Sequence, residues 1–162
     1  MDDSNLLESF LELLEERDVS YCVIGGQGVN AYVEPLVSLD LDVVVALDQL
    51  PELEKDLAER FRIERFPHSL NVSIPGSSLR IQIQTDPRYF PFVDDASPRS
   101  VLGLTLPVAS LADVLEGKVW AVTDPTRRAS KRQKDLADIA RILEAYPELR
   151  AAVPTEVLDR LV

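Results

Sequence analysis

The sequence predicts an α/β or α+β fold, and three observations carry that reading. Short apolar runs of strand length alternate with longer stretches of helical periodicity. Apolar residues make up 46% of the chain and aromatic ones only 6%, which fits an aliphatic core and excludes a disordered polypeptide. At 162 residues the chain is long enough to bury such a core within a single domain, residues 1–162. No internal repeat or interdomain linker divides it.

Taken in order, residues 4–17 read as an amphipathic helix with Leu6, Phe10, Leu13 and Leu14 on its apolar face and Ser4 able to cap it. Residues 21–24 form a strand ending in Gly25-Gly26, and a short helix follows over 27–33, stopped by Pro35. Residues 40–46 are an interior strand, apolar on both faces past its two carboxylates. Asp48 caps a helix with Pro51 in its first turn, running to about residue 61. A strand over 61–66 precedes a hairpin of residues 71–74 and 79–85 around Pro75-Gly76. In its second arm Ile81 and Ile83 face one way, while Arg80, Gln82 and Gln84 face the other. The proline-containing stretch 86–98 reads as an irregular loop, a candidate lid, and 104–108 as one more strand. Ser110 opens a helix to about Val122, a longer helix covers 127–146, and Pro154-Thr155 starts a last short one.

Composition narrows the setting. No apolar stretch has the length of a membrane span, and Met1-Asp2-Asp3-Ser4 is acidic where a secretory signal is basic. The one cysteine, Cys22, cannot form an internal disulfide and reads as small core filling. The expected location is the cytoplasm. A net charge of −11 argues against general, sequence-independent nucleic-acid binding. Positive charge is nevertheless concentrated, with six of the seventeen Lys and Arg between Lys118 and Lys134.

The chemistry is expected around Gly25-Gly26 and Asp40-x-Asp42. Asp40 and Asp42 share a strand face about 7 Å apart, by twice the rise per residue, and repel each other. A divalent cation such as Mg²⁺ offsets that repulsion through oxygen ligands. The glycines let backbone approach a phosphate. Together they point to metal-assisted handling of a nucleoside triphosphate. Lys118 falls among Leu111, Val114, Leu115 and Val122 on the apolar face of its helix, where a lysine must be desolvated, snorkel or meet an anion; the anion is favoured. Arg127, Lys131, Lys134 and Asp138 form one stripe of the next helix, which is also how an ordinary solvent-facing stripe reads. His68, beside Pro67, has no partner in sequence, and Trp120 falls on the polar side of its helix.

With these residues in hand, the chain resembles the DNA polymerase β-like nucleotidyltransferase superfamily, and its Lys118-Val119-Trp120-Ala121 and Arg127 to Leu136 segments are similar to the AbiEii-type branch. The likeness spans about residues 21–145. It implies an α+β nucleotidyltransferase fold with a small mixed sheet and flanking helices, a core at about 21–108 and a helical C-terminal part at about 110–162. It also implies transfer of a nucleotidyl group from an NTP to an acceptor, a nucleic acid or a protein among the candidates, at a site built on two Mg²⁺ ions. Asp40 and Asp42 would hold metal, Gly25 and Gly26 would face the triphosphate, and Lys118 would contact phosphate with Arg127, Lys131 and Lys134 assisting. A toxin or antitoxin partner protein belongs to the same implication.

One position departs from the family pattern. Where the third carboxylate belongs, the strand carries Gln82, which offers a carbonyl ligand but no charge and no proton-accepting carboxylate. Asp86 has the same strand parity but lies four residues on, about 13 Å away along an extended strand. Gln82 and Asp86 both stay open as metal ligands. The alternative function is therefore a catalytically impaired protein of this fold that binds nucleotide or a partner.

Overall fold

The computed structural model describes residues 3–161, with side chains from residue 6 to 161. The chain forms a seven-stranded mixed sheet in the order β3-β4-β5-β2-β1-β7-β6. The strands are β1 (Tyr21–Ile24), β2 (Asp40–Val45), β3 (Arg62–Phe66), β4 (Ser69–Ser73), β5 (Arg80–Gln84), β6 (Ser97–Val101) and β7 (Leu104–Val108). β2 pairs with β5 in parallel, as β1 does with β7, and the remaining pairs are antiparallel. The helices are α1 (Asp3–Glu16), α2 (Gly25–Asn30), α3 (Leu50–Arg60), α4 (Leu111–Thr123), α5 (Ala129–Ala145) and α6 (Thr155–Leu158).

Strand alternation sorts the helices onto two faces. Leu41, Val43, Val45, Ile81 and Ile83 point to one face and pack with Leu6, Phe10 and Leu13 of α1 and Leu53 and Leu57 of α3. Cys22, Ile24 and Val44 point to the other and meet Val114, Leu115 and Val119 of α4 and Leu136, Ile139 and Ile142 of α5. Phe10 and Ile83 are fully buried, and each such side chain contributes about 1.5–3 kcal/mol of transfer free energy. Asp40, Asp42, Gln82 and Gln84 share parity with Val44, so the sheet turns its polar residues toward α4 and α5. Burial pushes the Cys22 thiol up to about 12, an inert core residue as expected.

Several local expectations are corrected. The glycine pair is the first turn of α2, which spans Gly25–Asn30 rather than 27–33. Asp48 makes no cap; it sits in a 3₁₀ turn at Leu47–Gln49, and α3 starts at Leu50 with Pro51 in its first turn. The 86–98 stretch is no irregular lid. Residues Pro87–Asp95 form a 3₁₀ segment that buries Tyr89 and Phe92, and β6 follows it. Asp86 opens that segment, its Oδ1 accepting from the Arg88 N–H at 3.0 Å. Ser110 caps α4 as expected, accepting from the Asp113 N–H at 3.2 Å. The Ser4 cap lies outside the described side chains, as do Met1 and Asp2 entirely. Among the described residues no helix is long and apolar enough to cross a membrane.

Candidate active site

The site is a row of polar residues drawn across the sheet. Ile24 of β1 pairs with Asp42, Asp42 with Gln82, and Gln82 with Asn71, so these side chains stand side by side on the α4/α5 face. Above them lies a partly open cavity. Gly25, Asp42, Gln82, Tyr89, Lys118 and Arg127 are in its wall.

Asp42 is the residue the rest surrounds. Its Oδ1 is buried with no hydrogen-bond partner. Burial pushes the carboxyl above the ordinary range, with Lys118 opposing and Asp40 adding to the rise. Gly25 makes this packing possible. Its φ is +65°, in the left-handed region, and a Cβ there would collide with Asp42 Oδ2. Gly26 carries no such constraint, since the nearest atom to an added Cβ is Ser38 Oγ at 3.8 Å. Asp40 shares the face of Asp42 but lies nearer the surface, where Arg80 Nε donates to its Oδ1 at 3.1 Å.

Within the chain, Lys118 is held by two carboxylates of α5. The ammonium lies 2.8 Å from Asp138 Oδ2 and 3.1 Å from Asp135 Oδ1, all three residues being buried. Burial alone would lower the Lys118 pKa, but Asp138 and Asp135 outweigh it and hold it above the ordinary value. Arg127 forks onto Asp135 at 2.6 and 3.3 Å. Arg141 reaches Asp138 at 2.8 Å, Asn30 Oδ1 at 2.9 Å and the Glu34 carbonyl at 2.7 Å. The stripe of Arg127, Lys131, Lys134 and Asp138 therefore splits. Asp138 is buried, Arg127 lines the cavity just ahead of α5, and Lys131 and Lys134 lie outside the lining, Lys134 exposed. Lys131 still acts at a distance, its charge favouring ionised Asp42.

Asp135, Tyr89 and Gly117 were not foreseen as site residues. The signal for Asp135 was its place beside Asp138, three residues apart, along the apolar positions Leu136 and Ile139. Asp86 does not replace a third carboxylate. It pairs with Arg88, whose hydrogen bonds outweigh the effect of burial and lower its pKa. Trp120, on the polar side of its helix, is covered by its neighbours: Phe92 stacks on it at 5.6 Å and Arg88 lies 4.7 Å over its ring.

The donors fit one hard cation better than two. The partnerless Oδ1 of Asp42 wants a positive charge, and Gln82 adds a neutral carbonyl. Asp40 is on the same face but shared with Arg80. Among the described residues no three His, Cys, Asp or Glu side chains form a metal-binding group. The other carboxylates of the cavity wall are Asp113 and Asp135, the latter held by Lys118 and Arg127.

Residues 37–161 match the family model described as nucleotidyl transferase AbiEii toxin, Type IV TA system. The chain belongs to the AbiEii family. No curated protein matches this AbiEii chain by sequence. Solved structures do match by shape. One is the antibiotic-resistance factor ANT(2'')-Ia in complex with adenylyl-2''-tobramycin, at TM-score 0.62 and 15% identity, covering 98% of each chain. Another is the lincosamide antibiotic adenylyltransferase LnuA, at TM-score 0.56 and 16% identity, covering 85% of this chain and 96% of that one. A third is an antigenic nucleotidyltransferase-like protein from Paracoccidioides brasiliensis, at TM-score 0.54 and 17% identity, covering 87% and 74%. At these identities the likeness gives the AbiEii chain its nucleotidyltransferase fold.

Proposed function

We propose that the protein transfers a nucleotidyl group from a nucleoside triphosphate to an acceptor, with Mg²⁺ held at Asp42. The observation that carries this reading is the buried, partnerless Oδ1 of Asp42 beside a glycine that only a bare backbone can satisfy. When bound, the metal would supply Lewis-acid stabilisation of phosphate charge. The remaining work falls to the chain. Asp42 and the Gln82 carbonyl hold the cation, and Asp40 adds charge at the rim. Gly25, with no side chain, leaves room for the Asp42 carboxylate and brings bare backbone to the cavity wall. Arg127, with donors beyond its fork to Asp135, turns positive charge to the cavity. Lys118, sharing its charge with Asp135 and Asp138, fixes α4 against α5 and still favours ionised Asp42. Electrostatic positioning of this kind carries most of phosphoryl-group chemistry.

The experiment is transfer of label from each α-labelled NTP in Mg²⁺, with release of pyrophosphate. Label transfer that persists in both Asp40→Asn and Asp42→Asn would remove the carboxylates from the mechanism. Gln82 supports a second reading, in which nucleotide binds without turnover. Calorimetry showing saturable NTP binding by a protein that labels no acceptor would favour it. The family's toxin–antitoxin description also supports a partner protein, tested by co-purification from the native cell.

A further inference from the structure

We infer that the acceptor enters through a second cavity beside the site and lays a flat ring on the guanidinium of Arg88. The inference rests on the nucleotidyl-transfer reading and adds the acceptor's place and chemical class. The second cavity is open to solvent and shares Gln84, Tyr89, Ala121 and Arg127 of its wall with the Asp42 cavity, so the two adjoin. In an in-line displacement the attacking and leaving oxygens stand on opposite sides of the α-phosphorus. With pyrophosphate leaving at the Gly25 end, the acceptor comes from the other end, past Gln84. The acceptor's hydroxyl oxygen bonds to the α-phosphorus, the bond to the bridging oxygen breaks, and pyrophosphate departs. The hydroxyl proton passes to water, because the Gln82 amide cannot take it.

The class of acceptor follows from how Arg88 is held. Its guanidinium lies 4.7 Å over the Trp120 ring and is bound at its edge by Asp86, with Nε 3.2 Å and Nη2 3.0 Å from Oδ2. Phe92 stacks on Trp120 at 5.6 Å and Tyr89 meets it edge-on at 5.0 Å, so the platform has a rigid base. The Arg88 side chain is 55% exposed and lines the cavity. Guanidinium planes stack on flat heteroaromatic rings. The carboxylates nearby are already engaged, Asp86 by Arg88 and Asp124 by Thr126 at 2.7 Å, so the cavity has little to hold a polyamine. The His68 carbonyl accepts from the Thr85 N–H at 2.8 Å, while its imidazole, in the same wall, makes no hydrogen bond or ion pair among the described residues and is left to meet the ligand.

Trp120, the only tryptophan, reports on this cavity directly. The probes are adenosine and uridine, titrated with and without Mg²⁺ and a non-hydrolysable ATP analogue, against wild type, Arg88→Ala and Arg88→Lys. Expected is a saturable change in Trp120 emission that weakens at least fivefold in both variants, lysine keeping the charge but not the plane. The analogue's own affinity, read by calorimetry, should change less than twofold. Nucleosides that leave emission unchanged, or an aminoglycoside that binds more tightly than they do, would overturn the acceptor class. Equal weakening of nucleoside and analogue would make this cavity the donor's. An analogue that fails to bind wild type would instead sink the nucleotidyl-transfer reading, while the nucleoside titration without it still reads the cavity.

Discussion

The Asp42 carboxylate fills the space that a side chain on Gly25 would need. The glycine is required twice there, for its left-handed φ and for its bare α-carbon. Gly25→Ala should therefore lose about 1–3 kcal/mol of stability and all measurable NTP binding. Gly26→Ala, which meets only Ser38 Oγ at 3.8 Å in the first turn of α2, should be neutral or slightly stabilising. Chemical denaturation of the two variants side by side checks the contrast.

Asp42 sets a pH dependence. A carboxyl whose pKa is raised on folding binds its proton more tightly in the folded state. Stability contributed this way falls as pH rises from the ordinary carboxylate value through the raised one. Asp42→Asn should flatten that part of the stability profile and gain stability at neutral pH. Mg²⁺ should stabilise wild type by about 2.7 kcal/mol at a hundred times its Kd and should not stabilise the variant.

Lys118→Met should be costly. It leaves Asp135 and Asp138 buried with one counter-charge each, Arg127 and Arg141, and breaking a buried pair costs about 3–5 kcal/mol. Because the Lys118 pKa is raised, its stabilisation is complete at neutral pH and is lost as pH climbs past the ordinary lysine value. Adding Asp135→Leu should recover part of the loss, read by the same denaturation series.

Gln82→Asp should place a second negative charge directly beside Asp42 in the parallel β2–β5 register. The metal-free protein should unfold at a lower temperature, through like-charge repulsion at close range. In return Mg²⁺ should bind at least tenfold more tightly, and label transfer to hydroxyl acceptors should rise. A calorimetric Mg²⁺ titration checks the first effect and the labelling assay the second.

Residue patterning made part of the molecule legible. The strand bearing Asp40 and Asp42 stood out as carboxylates ahead of a valine run, and the parity of Ile81 and Ile83 against Gln82 followed from alternation alone. β6 was invisible because it is an edge strand whose Ser97, Pro98, Arg99 and Ser100 are exposed and carry no apolar rhythm. The Pro87–Asp95 segment looked irregular because Pro91 breaks an α-helical pattern, while a 3₁₀ turn accommodates it. The stripe carrying Asp138 stayed open between a solvated and a functional role because one helix wheel cannot show what a neighbouring helix brings. The burial of Asp138 depends on Lys118, twenty residues earlier on α4. Pairing a buried lysine with a buried acid requires the tertiary fold.

Arg141 ties α5 to the connection between α2 and β2, through Asn30 and Glu34. Together with Asp138 beside Lys118, this means that the glycine end of the cavity is anchored by residues translated after all seven strands. A nascent chain still held at residue 130 would have its sheet and α4 but no counter-ions for Lys118 and no brace on the 31–39 connection. The network around Lys118 thus closes only after every strand of the sheet has been made.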